Sequence, residues 1–190
     1  MDEITQRFEY NNGTLKNKLH EFNSDKLAEI EYRRVTYVGV KILENPEVKI
    51  ESFRDLQKIH YLMFSLLYEW AGEIRDYNLT KGNTDFLPVN FLKEGIDEVN
   101  KILNTITRKE QPTIHDYAIL LDRLNFLHPF REGNGRSAKV FITKLALNHH
   151  QKLDYQRDSS KMIDALNKAD IKEISHQLSL KNEISLQLAI

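Results

Sequence analysis

His128, Glu132, Gly133, Asn134, Gly135 and Arg136 fall within one nine-residue run, His128-Pro129-Phe130-Arg131-Glu132-Gly133-Asn134-Gly135-Arg136. An imidazole, with an ordinary pKa of about 6.5, is a base near neutral pH. A glutamate brings a hard oxygen ligand of the kind Mg²⁺ takes. Gly133-Asn134-Gly135 is a tight, permissive turn with bare backbone N–H groups. A glycine turn feeding a helix N-terminus is an anion site. Arg136 adds a planar fork of donors suited to phosphate oxygens. Each feature alone has an ordinary explanation: a histidine before a helix is usually structural, Gly-Asn-Gly is usually a turn, and a lone glutamate is usually solvated. Together they form the parts of a phosphoryl-type transfer site. From residue types alone the reading stops at a phosphate site.

The elements around this run are mostly helical. Tyr117, Leu120, Leu121, Leu124 and Leu127 recur at helical spacing and lead into His128. Pro129 disfavours helical dihedrals at His128, so the helix stops there. From Ser137 to Leu147 the chain is apolar on most sides, through Ala138, Val140, Phe141, Ile142, Leu145 and Ala146, which predicts a central buried helix. Leu56, Ile59, Met63, Leu66, Leu67 and Trp70 predict another helix, and Leu92, Ile96, Val99, Leu103 and Ile106 a third. Leu27, Ile30 and Val38 suit a helix ending before Pro46. Met162, Ile163 and Leu166 mark a short one, and Ile171, Ile174 and Leu178 begin a last. Strand signals are sparse: Lys81-Gly82-Asn83 is turn chemistry flanked by Tyr77, Leu79, Phe86 and Leu87, which predicts a hairpin over 77–88. Asn11-Asn12-Gly13 is a second turn. The expected fold class is mainly α, a compact helical bundle around a central buried helix with one short β-hairpin.

The chain of 190 residues suits one domain and can bury a real core. The expected organisation is a core over about 25–150, an N-terminal arm over 1–24 and a helical C-terminal extension over 151–190 that could regulate it. Hydrophobic residues make up 41% and charged residues 29%, as in a soluble domain. The net charge of −1 argues against broad binding to nucleic acid or an anionic membrane. With no cysteine there is neither a disulfide nor a thiolate site, which suits a cytoplasmic setting. No signal peptide or membrane-length apolar run is visible. His149-His150 point to different helix faces and nothing completes a metal site around them. His60 reads as a core histidine.

The nine-residue run resembles the signature of the Fic family, His-x-Phe-x-(Asp/Glu)-Gly-Asn-Gly-Arg-x-x-Arg, with Lys139 in place of the last arginine. Tyr68-Glu69-Trp70-Ala71-Gly72-Glu73-Ile74-Arg75 is similar to the family's segment before its flap. Lys81-Gly82 and Phe86 look like the flap itself, and Tyr10 to Leu19 resembles the N-terminal segment of bacterial members. The resemblance covers most of the chain and is weakest after about residue 150.

What the resemblance implies is a protein adenylyltransferase that moves AMP from ATP to a Tyr, Ser or Thr hydroxyl. His128 is then the general base, and Glu132 holds Mg²⁺ between the α- and β-phosphates. Gly133, Asn134 and Gly135 cradle the phosphates, with Asn134 orienting the α-phosphate. Arg136 takes the β-phosphate, and Lys139 the γ-phosphate with its charge but without a bidentate fork. Phe130 anchors the loop in the core. Gly135 favours AMP transfer, because the family's phosphotransferase branch carries lysine there. The flap is expected to clamp a protein substrate as an added strand, with Leu79, Thr80, Lys81 and Phe86 as contacts. Alternatives are another donor on the same fold, giving phosphocholine or phosphoryl transfer, and a silent binding module.

Many members carry an inhibitory (Ser/Thr)-x-x-x-Glu-(Gly/Asn) helix. Ser179 to Glu183 fits its first five positions, without the final Gly or Asn. The expectation is self-inhibition by Glu183 pairing with Lys139, with Glu9 as the fallback and an antitoxin-like partner as the alternative.

Overall fold

A computed structural model describes residues 3–82 and 84–182 of the chain. A short helix α1 (Glu3–Phe8) precedes a turn at Asn11-Asn12-Gly13, where Gly13 has φ +81°. Helix α2 (Ser24–Glu44) starts at Asn23, whose side chain accepts from the Lys26 N–H, and it ends just before Pro46. Helix α3 (Phe53–Phe64) opens with a Ser52/Asp55 capping box. A hairpin, β1 (Thr80–Lys81) and β2 (Thr84–Asp85), follows, then α4 (Leu92–Thr107), α5 (Ile114–Leu127) and α6 (Asn134–Asn148). Strand β3 (Gln151–Tyr155), helices α7 (Ser159–Asn167) and α8 (Ile171–His176) and strand β4 (Leu178–Asn182) complete the described chain.

Helix α6 is the central element, packed against α2, α3, α5 and β3. Phe141, Ile142, Leu145 and Ala146 on it are fully buried. Each large apolar side chain so removed from water contributes roughly 1.5–3 kcal/mol, so the helix that begins at the glycine turn is firmly anchored in the core. The mainly helical bundle, its central buried helix and the hairpin inside 77–88 agree with the sequence pattern.

Three expectations need correction. The helix expected to run through Trp70 stops at Phe64, and turns carry the chain to Gly72. Tyr68 and Trp70 bury themselves there by stacking on one another, with ring centroids 4.5 Å apart, instead of by lying on a helical face. Second, one hairpin was expected and the described residues form a second ribbon: β3 pairs antiparallel with β4, Gln151 with Asn182 and Tyr155 with Leu178. Third, the stretch after 151 is therefore not all helical. Leu178 lies on β4, not on α8. No described helix is long and apolar enough to cross a membrane.

Candidate active site

The helix α5 ends on His128, which caps it in the left-handed conformation with φ +40°. Pro129 follows, so the chain cannot continue as a helix. Phe130, fully buried, plugs the loop into the core, as expected of an anchor. His60 stacks on Phe130 with centroids 3.8 Å apart. The His60 Nδ1 accepts the Gly72 N–H at 2.8 Å, so its Nε2 carries the proton and donates to the Glu132 carbonyl at 2.9 Å. A buried neutral imidazole thus fixes the backbone at Glu132 from below.

Asn134 closes the loop. Its Oδ1 accepts the Phe130 N–H at 2.9 Å and its Nδ2 donates to the Phe130 carbonyl at 2.8 Å. The side chain expected to orient an α-phosphate also fastens the loop, spending its oxygen and one of its two N–H donors on the Phe130 backbone. Gly133, the N-cap of α6, has φ +80°. A Cβ there would stand 2.5 Å from Cζ of Phe64. A Cβ at Gly135 would meet nothing within 4 Å. The two glycines therefore do different work: one allows the fold, and the other leaves space over the helix N-terminus.

The candidate residues His128, Glu132, Gly133, Asn134, Gly135, Arg136 and Lys139 line one cavity of about 640 Å³. The His128 Nδ1 lies 3.0 Å from the Asn125 carbonyl and so carries its proton, leaving Nε2 with a free lone pair. Burial pushes the imidazole pKa down to about 4, against help for the charged form from the Asn125 carbonyl and Glu132. It is a neutral base at physiological pH. Glu132 lies half in the cavity. Burial alone would raise its pKa, but the Gly133 N–H, Lys81 and Arg136 outweigh this and hold the carboxyl below its usual range, hence ionised. Its Oε2 is 3.6 Å from the Lys81 Nζ and its Oε1 is 3.9 Å from the Arg136 Nη2. Among the described residues no three His, Asp or Glu converge as a metal cage. A divalent cation here would rest on Glu132 and share its remaining ligands with a bound molecule.

Two expected contacts are placed differently. Phe86 is buried and stacks on the His128 ring, centroids 3.6 Å apart and planes at 14°, so it orients the imidazole rather than presenting itself to a partner. Leu79 also packs against the core. Thr80 and Lys81 remain exposed on the ladder, Thr80 Oγ1 donating to Asp85 Oδ1 at 2.8 Å. Glu9 is bound to Arg131 at 2.6 Å and is not the partner of Lys139. The Lys139 ammonium sits 4.5 Å over the Tyr155 ring. Ser179 lies exposed on β4, not on a helix, and β4 runs from beside Tyr155 at the cavity to beside Gln151 away from it. Glu183 lies outside the described residues.

Several residues that build the site were not singled out for it by the sequence. Arg75 is buried, and its guanidinium donates to four carbonyls: His128 at 2.8 Å, Tyr77 at 2.6 Å, Leu127 at 3.2 Å, and Leu87. It ties both flanks of the hairpin to the C-terminus of α5, whose carbonyls carry negative partial charge. Its own N–H donates to the Pro129 carbonyl at 2.8 Å. The far wall of the cavity is built by Tyr155, Gln156, Met162 and Leu166, all from the segment after α6. The packing of β3 on α6, of α8 on α5 and of β4 on β3 brings that segment here.

His60 and His128 together predict acid sensitivity. Both imidazoles are pushed from 6.5 to about 4 in the folded protein, chiefly by burial. Between about pH 6.5 and pH 4 the unfolded chain binds more protons, so stability falls as pH falls through that window. The expected loss is of the order of a few kcal/mol. Urea midpoints recorded from pH 7 to pH 4 check this: the decline begins above the carboxylate range, and His60→Gln makes it shallower.

A family model described as Fic/DOC matches residues 51–146. The protein adenylyltransferase VbhT of Bartonella schoenbuchensis is 30% identical over 137 residues, covering 68% of this chain and 29% of VbhT. The probable protein adenylyltransferase Fic of Escherichia coli is 24% identical over 149 residues, 75% of this chain and 72% of that protein. The chain thus spans about three tenths of the first relative and about seven tenths of the second. Among solved structures, the Fic domain of a putative cell filamentation protein of Bartonella quintana, with bound ADP, superposes with a TM-score of 0.82 at 22% identity, over 96% of this chain and 98% of that one. The BepC protein of Bartonella tribocorum, with bound AMPPNP, gives 0.80 at 21% identity, over 95% and 100%. These two structures share the fold.

Proposed function

Because this chain belongs to the Fic/DOC family, we propose that it is a protein adenylyltransferase, which moves AMP from ATP to a protein hydroxyl and releases pyrophosphate. The observation that carries the reading is the neutral imidazole of His128, its Nε2 lone pair free, in the same cavity as the open N-terminus of α6. A hydroxyl is a poor nucleophile at neutral pH, and a positioned base answers that need. His128 Nε2 takes the proton as the acceptor oxygen bonds to the α-phosphorus and the bond from that phosphorus to the pyrophosphate oxygen breaks. The unpaired backbone N–H groups of the first turn of α6, open above Gly135, receive the phosphate oxygens. Arg136 faces the β-phosphate and Lys139 the γ-phosphate. Glu132, ionised and in the cavity, would hold Mg²⁺, which when bound screens the charge of the attacked and leaving phosphates. Lys81 balances Glu132 until then.

The apolar side chains of Leu124, Met162 and Leu166 suit a flat nucleobase, and the amides of Gln156 and Asn167 suit its polar edge. A relative with AMPPNP bound and relatives named adenylyltransferases support ATP as the donor. The exposed edge of the hairpin, at Thr80 and Lys81, suits an extended segment of the target protein. For inhibition, a separate antitoxin-like polypeptide is the reading we carry forward, since Ser179 lies on a strand and Glu9 is paired with Arg131.

Incubation with ATP labelled on the α-phosphate and, separately, on the γ-phosphate tests the reaction. Label retained on protein from the α position only is the expected result. Retention from the γ position would mean phosphoryl transfer, and retention from neither would leave a different donor or a silent module.

A further inference from the structure

We propose that Glu31, backed by Tyr68, is a positioning residue that aims the Arg136 guanidinium at the β-phosphate of the bound nucleotide. The proposal rests on the adenylyl-transfer reading above and adds α2 to its machinery, although α2 lies outside the residues that the family model matches.

Glu31 occupies an unexpected place in the sequence of α2. It lies four residues after Leu27 and four before Val35, and Gly39 and Ile42 continue the same buried face. A carboxylate on an apolar stripe costs free energy unless it is paired. Even paired, a buried ion pair is often no more stable than apolar side chains of the same volume. Folding alone therefore gives α2 little reason to carry a glutamate there.

Its partners supply one. One carboxylate oxygen accepts the Tyr68 hydroxyl, and the other accepts Arg136 Nη1. The pair is lopsided: the Glu31 side chain is 10% exposed and that of Arg136 is 39% exposed. The carboxylate is inside and the guanidinium forms part of the cavity wall. Beneath it lies the Phe64 ring, 5.1 Å from the guanidinium carbon. Burial and the Glu31 carboxylate push the Tyr68 phenol pKa far up, so it stays a donor. Its stacking on Trp70 holds it in turn. Glu31 cannot follow Arg136 into the cavity, and it occupies only one corner of a five-donor fork. The other donors remain for a ligand, already aimed. A long flexible side chain so fixed loses less freedom when phosphate arrives.

Titration of the whole chain with ADP and with AMP, each with Mg²⁺, tests this. Wild type is expected to bind ADP more tightly than AMP. In Glu31→Gln, which keeps shape and the Tyr68 acceptor, ADP affinity falls about tenfold, as for other residues that orient a binding side chain, while AMP affinity is unchanged. Tyr68→Phe gives a smaller loss in the same direction, and serves if Glu31→Gln folds poorly. In an Arg136→Ala background, Glu31→Gln makes no further difference to ADP. Equal losses for ADP and AMP would reduce Glu31 to a structural residue and overturn the proposal. Unchanged or tighter ADP binding would also overturn it, the latter making Glu31 a competitor of phosphate. Wild type that binds neither nucleotide would sink the adenylyl-transfer reading itself, and the proposal with it.

Discussion

Replacing His128 with alanine is expected to slow AMP transfer by about 10²–10⁴-fold while leaving MgATP affinity within a few-fold of wild type. The imidazole is the proposed base, neutral and in the cavity lining, and Asn125 and Phe86 fix its tautomer and plane. The proposed phosphate-binding elements start five residues later, at Gly133, and Asn134 and His60 hold that loop through contacts that do not involve the ring. Single-turnover transfer from α-labelled ATP and a direct titration of nucleotide separate the two quantities. The pH profile adds a second check. With the imidazole pushed down to about 4, kcat/KM keeps its value through pH 6 and falls only near pH 4, not near 6.5. Transfer that survives in His128→Ala would require another base.

The second large effect separates the two glycines of the loop. Gly133→Ala places a side chain at φ +80° and drives its Cβ to 2.5 Å from the Phe64 ring. Left-handed strain costs about 1–2 kcal/mol and the overlap about 1–3 more, so unfolding free energy falls by roughly 2–5 kcal/mol. Gly135→Ala meets open space at an ordinary dihedral, and its stability changes by no more than about 0.5 kcal/mol. Its methyl group would nevertheless crowd the proposed phosphate seat at the first turn of α6, so nucleotide affinity is expected to fall. Denaturant unfolding and nucleotide titration of both variants check the split. Full affinity in Gly135→Ala would mean that the anion seat lies elsewhere.

Most helices were legible because periodicity speaks directly about burial. The apolar rows on α4, α5 and α6 gave their extents to within a few residues, and Pro129 and Gly133 marked the loop between the last two. The Trp70 row misled, because Tyr68 and Trp70 are buried by stacking within a turn and their spacing only coincides with a helical one. The β3–β4 ribbon escaped notice because Gln151 finds its partner at Asn182, and no local pattern announces a pairing across two helices. For the same reason the far wall of the cavity was invisible. In the loop itself the residue types and their spacing were legible, but the contact of the Asn134 amide with the Phe130 backbone depends on which way that amide points, and sequence does not record that. Glu31 did leave a trace, a charge on an apolar stripe, and a search for misplaced charges on predicted helix faces finds it.

The conformation at the end of α5 bears on what that position tolerates. Left-handed backbone strains a side chain other than glycine, yet it recurs in this chain at His20, His150 and Ala169, outside the candidate site. The turn at residue 128 therefore places little demand on the side chain it carries, and the imidazole can be exchanged without loss of the turn itself.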